Sequence, residues 1–160
     1  MQTVYLETTV IGSIAGRLHP DAIIAARRQI TRRWWATAAS RYELFVSELV
    51  LDECGAGDPV AAAERMTELE GIALLEAPPQ AESLADLLMQ REAVPASEPR
   101  DAAHIAISAV NGIDFLATWN FKHILNPGTQ HLIEAVCRDA GFEPSTICTP
   151  EQLLEAYDDP

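Results

Sequence analysis

The chain has 160 residues, of which 48% are hydrophobic and 22% are charged, a composition typical of a globular protein with one hydrophobic core. The formal net charge of −13 argues against a large basic surface for nucleic acid, and suits a basic partner, a divalent cation or solubility alone. No apolar run reaches the roughly 18 residues that a membrane helix needs, and the N-terminus lacks a signal-peptide pattern. We therefore expect a cytoplasmic protein with one domain over residues 1–160 and no membrane contact. The cysteines lack a metal-binding spacing and are expected to be reduced and mostly buried: Cys54, Cys137 and Cys148.

Short apolar segments alternate with amphipathic segments along the chain. In chain order we predict strands over residues 3–6, 44–46, 72–77 and 113–118, and a short strand before the closing helix within 145–157. The predicted helices lie within residues 21–41, 48–57, 58–71, 81–92, 100–112 and 131–141. This alternation predicts an α/β sandwich with a mainly parallel central sheet.

Acidic and amide side chains directly follow the predicted strands. Glu7 follows the first strand, and Asp101 begins the helix that leads into the fourth. The second strand is followed by Glu48, Asp52 and Glu53, and the fourth by Asn120, Lys122 and His123. Sites in open parallel sheets form outside the carboxyl ends of the strands, so these side chains are expected to converge.

Each of these residues also has an interpretation without chemistry. Glu7 would be an exposed strand-end residue, Asp101 would stabilise a helix N-terminus, and Asn120 would be a turn residue. Together, however, converging carboxylates repel one another unless a cation lies between them, and oxygen ligands suit Mg²⁺ or Mn²⁺. Such an ion polarises a phosphoryl oxygen and lowers the pKa of a bound water, which predicts phosphodiester hydrolysis.

Four segments of the chain, in this order, resemble the PIN-domain proteins of the VapC type, the toxin half of type II toxin–antitoxin systems. They are VYLETTVIG, SELVLDE, DAAHIAISAVNGIDFLATWNFKHILN and ICTPEQLL, and the third is the most specific. The resemblance implies a Rossmann-like three-layer α/β/α fold and a Mg²⁺- or Mn²⁺-dependent endoribonuclease. It also implies a homodimer that is silenced by a cognate antitoxin.

When the motif residues of the family are carried over by position, the resemblance implies catalytic and metal-binding roles for Glu7, Glu53, Asp101 and Asn120. Thr9 would supply a neighbouring hydroxyl. Glu7 and Asn120 depart from the commonest pattern, which has aspartate at both positions. The missing charge at Asn120 favours one tightly held ion over two.

Further residues near these motifs have two interpretations each. His104, three residues after Asp101, would orient the site or a bound phosphate, or pack as a buried histidine. Lys122 and His123 would contact phosphate, or belong to a solvated loop.

The segment 27–35 concentrates basic and aromatic side chains: Arg27, Arg28, Arg32, Arg33, Trp34 and Trp35. We interpret it as a patch that contacts RNA, as a surface for the antitoxin, or as arginines paired with acidic residues while the tryptophans pack into the core or a dimer interface.

The sequence thus supports a metal-dependent endoribonuclease as the first hypothesis. The second is a PIN-like domain that has lost nuclease activity and binds a protein partner. A weaker third hypothesis is another α/β metal-dependent phosphohydrolase.

Overall fold

The computed structural model describes residues 1–158, and the side chains of residues 1–156. A sheet of five parallel strands, in the order β3-β2-β1-β4-β5, lies at its centre. The strands are β1 (Thr3–Leu6), β2 (Glu43–Ser47), β3 (Ala73–Leu75), β4 (Phe115–Ala117) and β5 (Thr146–Cys148). The predicted α/β class and parallel sheet are confirmed, and the flanking helices make a Rossmann-like three-layer sandwich.

Helices connect successive strands, as parallel pairing requires. They are α1 (Thr8–Ala15), α2 (Ala22–Arg41), α3 (Glu48–Cys54), α4 (Pro59–Glu68), α5 (Pro79–Gln90), α6 (Pro99–Val110), α7 (Gln130–Asp139) and α8 (Pro150–Asp158). One group of contacting helices comprises α1, α2, α3, α4 and α8, and another comprises α5, α6 and α7. Among the described residues, no helix combines the length and the apolar character needed to cross a membrane.

The central strand β1 supplies the middle of the core. Val4, Tyr5 and Leu6 are fully buried because β1 pairs with β2 on one side and with β4 on the other. The cysteines are buried and unpaired, as predicted.

Helix α1 was not predicted from the sequence, and the third and fourth strands are shorter than predicted. The segment TTVIGSIA is rich in β-branched residues and contains Gly12, so its intrinsic helix propensity is low. Glu7 nevertheless begins a helix there, because its side chain accepts a hydrogen bond from the backbone N–H of Thr9. The fourth strand ends at Ala117, one residue before the polar residues that build the candidate site.

Candidate metal centre

The register of the sheet brings the ends of β1 and β4 together. Leu6 lies opposite Ala117, and the backbone N–H of Glu7 donates to the Ala117 carbonyl at 3.1 Å. Glu7 and Thr118 therefore follow two paired strands at the same edge of the sheet. This edge is where ligands bind in open parallel sheets.

Glu7 is a buried carboxylate, 3% exposed, so its interpretation as an exposed strand-end residue is wrong. Its Oε1 accepts hydrogen bonds from the hydroxyls of Thr9 and Thr118, each at 2.6 Å, and its Oε2 accepts from the Thr9 N–H at 3.0 Å. Buried charges are normally paired or bound to a metal. No Lys, Arg or His among the described residues pairs with Glu7, so hydrogen bonds alone stabilise this carboxylate in the structure, and a cation bound beside it would add to them.

Glu53 lies on α3, and one of its two carboxylate oxygens is hydrogen-bonded. Its Oε1 accepts from the Thr8 hydroxyl at 2.9 Å and lies 2.6 Å from Nε2 of His104. Burial acts to raise the pKa of Glu53, but hydrogen bonds from His104 and Thr8 outweigh burial and lower it. Glu53 is therefore a carboxylate at neutral pH. Its Oε2 receives no hydrogen bond from the described residues.

Asp101 lies in the first turn of α6, close to both Glu7 and Asn120. Burial raises the pKa of Asp101, a hydrogen bond from Asn120 opposes this effect, and repulsion by Glu7 and Glu98 adds to it. The fold thus holds an ionised Asp101 at a net cost. A bound cation would offset this cost.

Asn120 shapes the loop after β4 and also reaches Asp101. Its backbone N–H donates to the Thr118 hydroxyl at 2.9 Å, and its Oδ1 accepts from the backbone N–H of His123 at 3.0 Å. The turn interpretation therefore holds for Asn120 alongside its place in the cluster. An amide oxygen has two lone pairs, so one remains for a ligand.

The sequence reasoning missed Glu98. Glu98, Asp101 and His123 each offer a ligand atom, all within 4.8 Å of one another, and His123 Nε2 lies 3.7 Å from Glu98 Oε1. Glu98 precedes α6 but its side chain makes no cap hydrogen bond. The only signal in the sequence was its position three residues before Asp101, across Pro99.

The remaining predicted residues are placed differently. Thr9 and His104 contact the carboxylates directly, and His123 joins the cluster at Glu98. Lys122 is exposed and makes no ion pair with the described residues, so its position fits the loop interpretation.

Two arginines of α2, Arg28 and Arg32, bind backbone carbonyls. Arg28 donates to the carbonyl of Arg17, and Arg32 donates to the carbonyls of Ile14 and Gly16, at the C-terminal end of α1. This location is favourable for cations because helix C-termini carry partial negative charge. The prediction that these arginines pair with acidic side chains is therefore wrong for Arg28 and Arg32.

The aromatic residues of this region divide between core and surface. Trp34 is buried in the core, as one interpretation proposed. The guanidinium of Arg27 lies 5.6 Å from the ring centre of Trp119 and 4.9 Å from that of Phe121. Arg27 thus covers two rings that flank Asn120 in sequence.

Replacement of Thr118 with valine is expected to destabilise the protein by about 1.5–3 kcal/mol, the usual contribution of a hydrogen bond to a charged group. The hydroxyl of Thr118 both donates to Glu7 and accepts from the N–H of Asn120. Urea denaturation monitored by circular dichroism measures the loss. Thr118→Ser keeps the hydroxyl and is the control; equal stability of the two variants would contradict the role assigned to this group.

The fold and the site define an α/β protein with a carboxylate-rich centre at the carboxyl edge of its sheet. Hard oxygen atoms of this kind fit Mg²⁺ or Mn²⁺. The chain matches no protein-family model, no curated protein and no solved structure.

Proposed function

We propose that the protein is a metal-dependent endoribonuclease that hydrolyses RNA phosphodiester bonds. One observation carries this proposal: Asp101 accepts a hydrogen bond from Asn120 and is repelled by Glu7, which lies at the carboxyl edge of the sheet with no cationic side chain bound to it. Glu53 is held near the start of the helix that Glu7 caps, through the Thr8 hydroxyl. The resemblance of the motifs to VapC-type PIN domains gives the same residues the same roles.

In this proposal Glu7, Glu53 and Asp101 hold Mg²⁺ or Mn²⁺, and Asn120 supports the ion or its waters. When bound, the ion supplies a Lewis acid for the phosphoryl oxygen and a more acidic water. Thr9 and Thr118 fix the Glu7 carboxylate, so little reorganisation is needed when substrate arrives. Glu98 and His123, whose ligand atoms lie within 4.8 Å of a ligand atom of Asp101, would add ligands on the Asp101 side of this ion.

A protein that binds an RNA strand needs positive charge and aromatic surfaces on which bases stack. This chain has few basic residues. Arg27 with Phe121, which is 41% exposed, supplies both next to Asn120, while Trp119 is buried and supports them from the core. We assign the RNA-contacting role to this group, rather than to Arg28 and Arg32, which hold the end of α1. Affinity would then come mostly from the metal centre and from stacking.

The resemblance extends the proposal to the binding partners and the cellular location of the protein. It implies a cognate antitoxin, a homodimer and a cytoplasmic location. The strongly acidic chain suits a basic antitoxin surface, because opposite charges speed association.

Incubation of the purified protein with RNA and Mg²⁺ or Mn²⁺ is expected to produce fragments with 5′-phosphate ends, and EDTA is expected to stop the reaction. Fragment ends are read by phosphatase sensitivity and gel mobility. A phosphomonoester substrate serves as the control, because its cleavage in place of RNA would favour a general phosphohydrolase. RNA cleavage that persists in EDTA would contradict the proposal.

The second candidate is a PIN-like domain without activity that binds a protein partner. The favouring observation is that three donors already satisfy the Glu7 carboxylate at 3% exposure. Calorimetric titration with Mn²⁺ separates the two functions. Absence of binding at millimolar Mn²⁺ would favour the protein-binding module.

A further inference from the structure

A buried chain of hydrogen bonds ends on Glu53. The Ser47 and Tyr5 hydroxyls are 2.7 Å apart, the Tyr5 hydroxyl lies 2.7 Å from Nδ1 of His104, and Nε2 of His104 lies 2.6 Å from Glu53 Oε1. Tyr5, Ser47 and His104 are each at most 1% exposed. A buried polar group that loses its partner is costly, so the protons of this chain must all be accounted for.

The direction of this chain follows from its end point. Glu53 Oε1 lies within hydrogen-bond distance of both the Thr8 hydroxyl and Nε2 of His104, and a carboxylate oxygen accepts from both, so Nε2 of His104 carries the proton at that contact. In a neutral imidazole Nδ1 then accepts, and the donor must be Tyr5, whose pKa is raised by burial so that the phenol keeps its proton. The Tyr5 oxygen in turn accepts from Ser47.

In this direction the hydroxyl hydrogens of Ser47 and Tyr5 and the Nε2 hydrogen of His104 each have an acceptor. Ser47 itself accepts from the backbone N–H of Val50 at 3.4 Å, at the start of the helix that carries Glu53. The reverse direction, with Nδ1 of His104 donating to Tyr5, leaves the Ser47 hydrogen without an acceptor among the described residues. The hydrogen-bonding groups therefore select one tautomer of His104.

We infer that Tyr5 and His104 are positioning residues that hold the Glu53 carboxylate by Oε1 and leave Oε2 for a divalent cation. This inference rests on the proposed function. Groups that hydrogen-bond to metal ligands orient them, and their loss typically lowers metal affinity by about 10–100-fold.

Tyr5→Phe is the direct test, because it removes one buried oxygen and keeps the ring. His104 Nδ1 then has no donor, and the imidazole is no longer held in one tautomer. Mn²⁺ affinity, measured by calorimetry, is expected to fall about tenfold or more. His104→Gln is expected to retain more affinity than His104→Ala, since an amide both donates and accepts.

Ser108→Ala is the matched control. Ser108 lies on α6 four residues after His104, and its buried hydroxyl bonds, among the described side chains, only to that of Ser145, at 2.6 Å. This variant loses a buried hydrogen bond of the same type but is expected to bind Mn²⁺ as the wild type does. Thermal unfolding of each variant confirms that the fold is retained.

The ¹⁵N spectrum of the His104 imidazole in metal-free wild type is expected to show the Nε2–H tautomer. The Nδ1–H tautomer, or unchanged Mn²⁺ affinity of Tyr5→Phe, would overturn the inference. Absence of Mn²⁺ binding by the wild type would instead overturn the proposed function, and the tautomer would still decide the direction of the chain.

Discussion

Asp101→Asn is expected to lower metal-dependent RNA cleavage on the order of 100-fold or more, while the protein remains folded. Asp101 lies next to Glu7 and Asn120, so its carboxylate supplies the charge that the neutral Asn120 does not. Initial rates with a labelled RNA, at saturating Mn²⁺, measure the effect. Asp86→Asn, an exposed substitution on α5, is the control, and equal activity of the Asp101 variant and the wild type would remove Asp101 from the site.

The same substitution is expected to leave the metal-free protein at least as stable as the wild type. The pKa of Asp101 is raised in the folded state, so its ionised form opposes folding at neutral pH. The destabilisation by ionised Asp101 decreases as the pH falls through its raised pKa. Asparagine at this position has a neutral amide and lacks this destabilisation at every pH. Urea denaturation in EDTA at pH 7 tests the sign. A clear loss of stability would mean that Asp101 acts mainly as a stabilising group at the N-terminus of α6.

The fold followed from the sequence wherever local pattern and tertiary structure agree. Helices with clear apolar spacing, such as α2 and α6, were predicted within a few residues of their ends. Helix α1 could not be predicted, because its formation depends on Glu7 as a cap and on packing against α2 and α4. Tertiary packing overrides propensity at this point.

The candidate site was predictable in part for a topological reason. The carboxyl ends of parallel strands meet, so Glu7 and Asn120 could be placed together before their contacts were known. The supporting groups could not be placed in this way. The bonds from Thr118 to Glu7 and from Tyr5 to His104 depend on the register of β1 against β4 and on side-chain direction, which the alternation of apolar and polar residues does not specify.

Glu7→Asp is expected to weaken Mn²⁺ binding about tenfold or more, although aspartate is the commonest residue at this position in the proteins that the motifs resemble. Aspartate would still cap α1, because a shorter carboxylate also accepts from the helix N–H groups. However, its carboxylate would withdraw by about 1.5 Å, the length of one carbon–carbon bond. The 2.6 Å bonds from Thr9 and Thr118 are matched to the longer side chain.

Glu7→Gln is expected to have a larger effect, on the order of 100-fold in cleavage, because it removes the charge as well. Its amide oxygen can keep the hydrogen bond from the Thr9 N–H only if its NH2 group faces the Thr9 and Thr118 hydroxyls, which then lose their shared acceptor. Calorimetric Mn²⁺ titration and RNA cleavage rates compare both variants with Glu43→Asp, which shortens an exposed side chain at the start of β2. Glu7→Asp with wild-type affinity would mean that the threonine hydroxyls adjust to either length, and that Glu7 is held less rigidly than its hydrogen bonds imply.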